Sequence, residues 1–142
     1  MSKGDTFEND WLKLIFNATA IANLADNAAT SPLTNLAVAL HTADPGEAGT
    51  QATSETSYGG YARVSVARTT GGWTVTANSV SPVATISFAQ CTSGTATLTH
   101  FSVGPTGGGA TKIFYSGTLT PNVAVATGVT PQINTSSTVT ED

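Results

Sequence analysis

The chain has 142 residues, a net charge of −4 and only 10% charged residues, against about a quarter in an ordinary soluble domain. That length fits a single domain with a real core. No Asp or Glu occurs from Thr56 to Thr140, a stretch of 85 residues, so the body lacks the carboxylates that most enzymes use to move protons, orient a histidine or hold a hard metal.

The charge is unevenly spread. Residues 1–55 hold seven acids and two lysines, a net −5; residues 56–140 hold only Arg63, Arg68 and Lys112, a net +3. Three scattered bases make no nucleic-acid surface. Cys91 is the only cysteine, so no internal disulfide forms and packing must hold the fold. The start MSKGDTFEND lacks the apolar core of a secretory signal. No run approaches the roughly 18 apolar residues of a membrane span. The chain is therefore expected to be made and kept in the cytosol until it assembles. A surface this poor in charge is weakly defended against association, which suits a protein meant to associate.

The first element is helical. Phe7, Trp11, Leu14, Ile15, Ala18, Ile21, Ala22 and Ala25 recur at steps of three and four. Asp5 and Glu8 supply acids at the N-terminal turn. The pattern predicts one amphipathic helix over about 7–25, stopping at Asp26-Asn27, then a loop over 28–34 with Pro32. From Asn35 the period becomes two. Leu36, Val38 and Leu40 alternate with Ala37, Ala39 and His41, a strand. Asp44-Pro45-Gly46 turns the chain, and a long polar loop runs from Glu47 to Gly60.

Tyr61–Arg68 is the clearest strand. Gly71-Gly72 predicts a hairpin into Trp73–Thr76. Val83–Phe88, Thr95–Val103, Lys112–Leu119, Val123–Ala126 and Val129–Ile133 follow as strands, with a turn at Gly104–Gly109. A β body over about 35–135 results, with a polar, frayed tail over 136–142. Strands do not alternate with helices, which excludes βαβ folds. The expected architecture is mainly β: an antiparallel β-sandwich, with the jelly roll as one form of it, and one N-terminal helix.

Chemistry is hard to place on this frame. His100 lies in the acid-free region and Asp44 is poorly placed to orient His41. No G-x-S-x-G elbow occurs. Two histidines, one cysteine and the loop acids Asp44, Glu47 and Glu55 lack metal-ligand spacing. Gly104–Lys112 fails as a phosphate loop, because Ala110-Thr111 precede the lysine and a strand follows it. The expectation is no enzyme, no cofactor and no metal. Trp11 and Trp73 are expected in the core. Tyr58 and Tyr61 flank Gly59-Gly60 beside Arg63, and tyrosine and arginine are favoured interface anchors; equally, Arg63 can pair with Glu55 or Glu47. The interaction candidates are Trp11 on the helix, Asp44 and Glu47 in the loop, and Tyr58, Tyr61 and Arg63.

The helix, LAVALHTADPGEAGT, SYGGYARVSV, the Trp and ISF strands and LTHFSVGPTGGG together resemble small virion structural proteins of tailed bacteriophages, over roughly residues 10–135. His41–Gly46 and Tyr58–Arg63 carry most of that resemblance. It implies a virion protein with no catalytic residues. The first expectation is a capsid decoration (cement) protein that binds the major capsid protein or other virion proteins as a homodimer or homotrimer. The alternative is a tail, baseplate or fibre-associated protein, receptor-facing in one form. A carbohydrate-binding module is a third reading, disfavoured by an aromatic content of 7%. Neither nucleic acid nor membrane is expected as a partner.

Overall fold

The computed structural model describes residues 5–20, 33–107 and 109–141. The elements are α1 (Asp5–Asn17), β1 (Asn35–His41), β2 (Val64–Ala67), β3 (Trp73–Thr76), β4 (Ser79–Pro82), β5 (Ile86–Ser87), β6 (Ala96–Pro105), β7 (Tyr115–Val125), β8 (Gln132–Ile133) and β9 (Val139–Thr140). The chain divides into two compact units. One comprises Met1–Asn35, Ala67–Thr85 and Asn134–Asp142; the other comprises Leu36–Val66 and Ile86–Ile133.

In the first unit, α1 stands with the sheet β3-β4-β9. Leu12 and Phe16, one turn apart, are fully buried, as the i, i+4 spacing requires. The Phe16 ring meets Trp73 edge-on at 4.9 Å, a favoured aromatic geometry. The helix ends at Asn17, short of the expected 25. Ala18 turns left-handed at φ 55°, and Thr19 N–H returns to the Lys13 carbonyl at 3.1 Å. The guanidinium of Arg68 donates to the carbonyls of Leu14 and Ile15, two acceptors that the helix end leaves unpaired. Residues 21–25 of the expected helix, and 28–32 of the expected loop, lie outside the described residues.

The hairpin of this unit also differs from expectation. Gly71-Gly72 do not join paired strands. Instead β3 pairs with β4, Thr76 opposite Ser79, and the turn is Ala77-Asn78 with Ala77 left-handed at φ 52°. Part of the expected frayed tail, Val139–Thr140, is a strand. Val139 and Thr140 pair with Val80 and Ser79, and Glu141 N–H bonds the Asn78 carbonyl at 2.8 Å. The open edge of β4 supplies the backbone partners that a polar tail otherwise takes from water.

The second unit is built on the sheet β2-β1-β6-β7. β1 and β6 are antiparallel, from Leu36 opposite Pro105 to His41 opposite His100. Every residue of β1 from Leu36 to His41 is buried. The expected one-sided alternation fails because both faces are covered. The apolar run Leu36–Leu40 is the mark of such a strand.

β7 runs unbroken from Tyr115 to Val125, merging two expected strands. Leu98 pairs with Val123 and His100 with Thr118, so Leu119–Asn122 bulge opposite Thr99. This is an edge strand, where Pro121 removes no needed donor, and a bulged edge resists pairing with another chain. β5 and β8 form a separate pair, Ile86 opposite Ile133, shorter than the expected strands there. The observed class is mainly β with antiparallel pairing and, among the described residues, one helix. The finer expectation of a sandwich or jelly roll is not established by these pairings. No described helix is long and apolar enough to cross a membrane.

Candidate interaction site

β1 delivers His41 to the middle of the second unit, fully buried. Its Nδ1 lies 2.9 Å from the Thr53 carbonyl and its Nε2 lies 2.8 Å from Ser102 Oγ. A carbonyl only accepts, so Nδ1 carries the proton and Nε2 accepts from the Ser102 hydroxyl. Burial holds the His41 pKa below its ordinary 6.5, against the raising effects of the Thr53 bond and Glu55; Arg63 and His100 lower it further. Gln51, also fully buried, donates from Nε2 to the Ala37 carbonyl at 3.0 Å.

The polar segment 50–56 lies along the end of β1. Thr42 N–H bonds the Ser54 carbonyl and Thr56 N–H bonds the Leu40 carbonyl. Leu40 N–H donates to the Tyr61 hydroxyl at 3.0 Å, and that hydroxyl donates to Glu55 Oε1 at 2.9 Å. Arg63 closes the arrangement. Its Nε and Nη2 each reach a Glu55 oxygen at 2.7 Å. Nη2 also donates to the Gly109 carbonyl at 2.8 Å and Nη1 to Thr111 Oγ1 at 2.9 Å. Thr111 Oγ1 in turn donates to Gln51 Oε1 at 2.7 Å. With weaker contacts from Nη1 to Gln51 and Gly107, the five donors of the guanidinium are all engaged. The result is a clasp that ties the loop and the 107–111 tip to β1.

The electrostatics agree. The Glu55 hydrogen bond raises the Arg63 pKa above its ordinary value, outweighing desolvation. Burial, above all, raises that of Tyr61. Over the clasp lies a hollow of about 520 Å³, lined by Glu55, Tyr58, Tyr61, Arg63 and Gly109 among others. Glu55 through Tyr58 also line a second hollow, of about 400 Å³, toward Ser93–Ala96. The Thr56 hydroxyl is buried with no hydrogen-bond partner.

Of the six interaction candidates, the structure brings three together. Tyr61 and Arg63 share Glu55, so the expected pairing of Arg63 with a loop acid is found. Tyr58 packs edge-on to Tyr61 at 5.4 Å, and its hydroxyl donates to the Ala89 carbonyl at 3.0 Å. Asp44 and Glu47 are exposed and outside the clasp. Asp44 Oδ1 instead accepts from Gly46 N–H at 2.9 Å, a local turn. Trp11 belongs to the first unit and is 37% exposed, which corrects the expectation of a core position. Leu12 and Phe16 take the packed side of α1, and Trp11 falls beside it. Sequence reading missed Gln51, Ser102 and Thr111, neutral residues with no distinguishing local pattern. Among the described residues, no three metal-ligating side chains gather.

A family profile described as podophage GP4 fiber I protein gp80 matches residues 3–141. The chain belongs to that family. It is a small structural protein of a tailed-phage virion, as its resemblances implied. The match to a fibre family fits the tail-side expectation better than capsid decoration. No curated protein matches the chain.

Proposed function

We propose that this protein is a subunit of the tail fibre apparatus that acts by binding other virion proteins, not by catalysis. The family match across residues 3–141 carries the reading. Two structural observations support it. Ser102 and His41 make a 2.8 Å serine–histidine contact, but both residues are fully buried, so no substrate reaches it. The Arg63 guanidinium has every donor committed inside the chain, which makes the clasp an internal brace and not a reacting group.

The test is localisation. Disrupted virions are separated into heads and tails, and this chain is quantified in each fraction by mass spectrometry and immunogold labelling. Enrichment with the tail supports the proposal. Enrichment on the head shell restores capsid decoration and overturns it.

A further inference from the structure

We propose that segment 50–56 is an acid-released latch: protonation of His41 detaches it from β1 while the β1–β6–β7 ladder stays paired. His41 holds the segment through its Nδ1–H to the Thr53 carbonyl and is fixed from the other side by Ser102. A proton on Nε2 turns an acceptor into a donor facing the Ser102 hydroxyl. That hydroxyl must then point its hydrogen elsewhere. Gln51 Nε2, 3.4 Å from that hydroxyl, is itself a donor, and Gln51 Oε1 already accepts from Thr111 and Arg63. The acid form therefore leaves a buried cation beside a hydroxyl whose own hydrogen has lost its acceptor, and both are costly in the interior.

The surroundings act in both directions: the Thr53 carbonyl and Glu55 hold the proton, Arg63 and His100 oppose it, and burial tips the balance toward release. His100 stands directly opposite His41 on β6 and opposes its charge. Arg63 adds a fixed positive charge. Glu55, bridged to His41 through the backbone, is the one acid facing it among the described residues. Its carboxylate is already bound by Arg63 and Tyr61. Tyr61 stays neutral at acid pH.

Opening is local because the segment has few backbone ties, its side-chain ties being those of Gln51 and Glu55 near its two ends. Ala52, Thr53 and Ser54 are exposed. Three backbone hydrogen bonds hold it: Gln51 to Thr111, Thr42 to Ser54 and Thr56 to Leu40. The ladder of β6 with β1 and β7 is far longer, and such differences separate local from global opening. The sign follows from the lowered folded value: the released histidine takes a proton first as pH falls below 6.5, so latching is complete above that value and is lost below it.

Hydrogen exchange on the full chain, expressed as protection factors, tests this between about pH 7.5 and about pH 4.5. Protection at 51–56 is expected to fall by about ten-fold per pH unit below 6.5, until the latched pKa is reached, with β6 and β7 unchanged. In His41→Gln, which cannot titrate, the fall disappears. Should that variant fail to fold, the His41 ring is titrated by nuclear magnetic resonance in the native chain, and its midpoint must lie below 6.5, at the pH where the fall in protection levels off. The proposal is overturned if protection at 51–56 is flat with pH, if β6–β7 loses protection in step with it, or if His41→Gln keeps the acid response.

Discussion

Arg63 meets Glu55 through two bonds of equal length, Nε to Oε1 and Nη2 to Oε2, each 2.7 Å. Eight residues apart in sequence, the two are held face to face by the loop's return to β1. The pair is mostly covered, with the side chains 14% and 17% exposed. A two-pronged contact of this kind needs the planar fork of arginine.

Arg63→Ala is expected to cost about 2–3 kcal/mol, less than the full loss for a wholly buried pair because water reaches this one. Arg63→Lys keeps the charge but loses the fork and the bonds to Thr111 and Gly109, costing about 1–2 kcal/mol. Urea unfolding measures both. The midpoint should fall with the slope unchanged, and an unshifted midpoint in Arg63→Ala would show that the clasp does not stabilise the fold.

Arg68→Gln should weaken the end of α1. Its guanidinium serves the carbonyls of Leu14 and Ile15, and that of Leu33 at 3.1 Å. Loss of a cation at a helix C-terminus, with its hydrogen bonds, costs about 1–2 kcal/mol. The thermal midpoint followed by far-ultraviolet circular dichroism should drop, whereas Arg68→Lys should retain part of the effect.

Tyr61 predicts the alkaline limb of stability. Its folded pKa lies above the ordinary 10.0, mainly through burial. The unfolded chain therefore gives up its phenolic proton first as pH rises. The contribution is whole below pH 10.0 and is lost as pH climbs from there toward the folded value. Tyr61→Phe strips Leu40 N–H of its acceptor and costs about 1–2 kcal/mol at neutral pH, but flattens the alkaline decline. Denaturation series at rising pH should show the two curves converging; parallel curves would contradict the assignment.

Gly104→Ala should be poorly tolerated. Gly104 sits opposite Ala37 on β1, and an added Cβ would collide with the Lys112 carbonyl oxygen and come within 2.7 Å of Gln51 Cδ. A backbone oxygen cannot swing away, so the strand or the 111–112 segment must shift, at about 1–3 kcal/mol. Gly128→Ala is a control for backbone strain alone, since its φ is 91° with nothing within 4 Å of the new atom. The collision reading requires Gly104→Ala to disturb the amide signals of Gln51 and Thr111, and Gly128→Ala to leave them in place.

The strands were legible where side chains alternate or run apolar, as in Leu36–Leu40 and Ala96–Val103. Turn chemistry was less so. Gly71-Gly72 look like a hairpin turn, yet the hairpin closes at Ala77-Asn78, because pairing of Trp73–Thr76 with Ser79–Pro82 outweighs the steric cost of a left-handed alanine. Polarity alone suggested a frayed tail, but Val139 and Thr140 find the open edge of β4. The tyrosines and Arg63 announced themselves by residue type. Gln51, Ser102 and Thr111 did not, since a neutral polar side chain reads the same in a loop, on a surface or in a core.

Composition and periodicity along the chain determined the mainly β class, the helix that precedes it and the carboxylate-free stretch from Thr56 to Thr140. Those properties are local, and each short stretch carries its own share of them. Tertiary structure decided that His41 is sealed against Ser102, 61 positions away, that Arg63 reaches Thr111 across 48, and that Arg68 closes a helix 53 residues earlier. Strand order and burial choose such partners, because a hydrogen bond depends on which groups the sheets bring within 3 Å and out of water's reach.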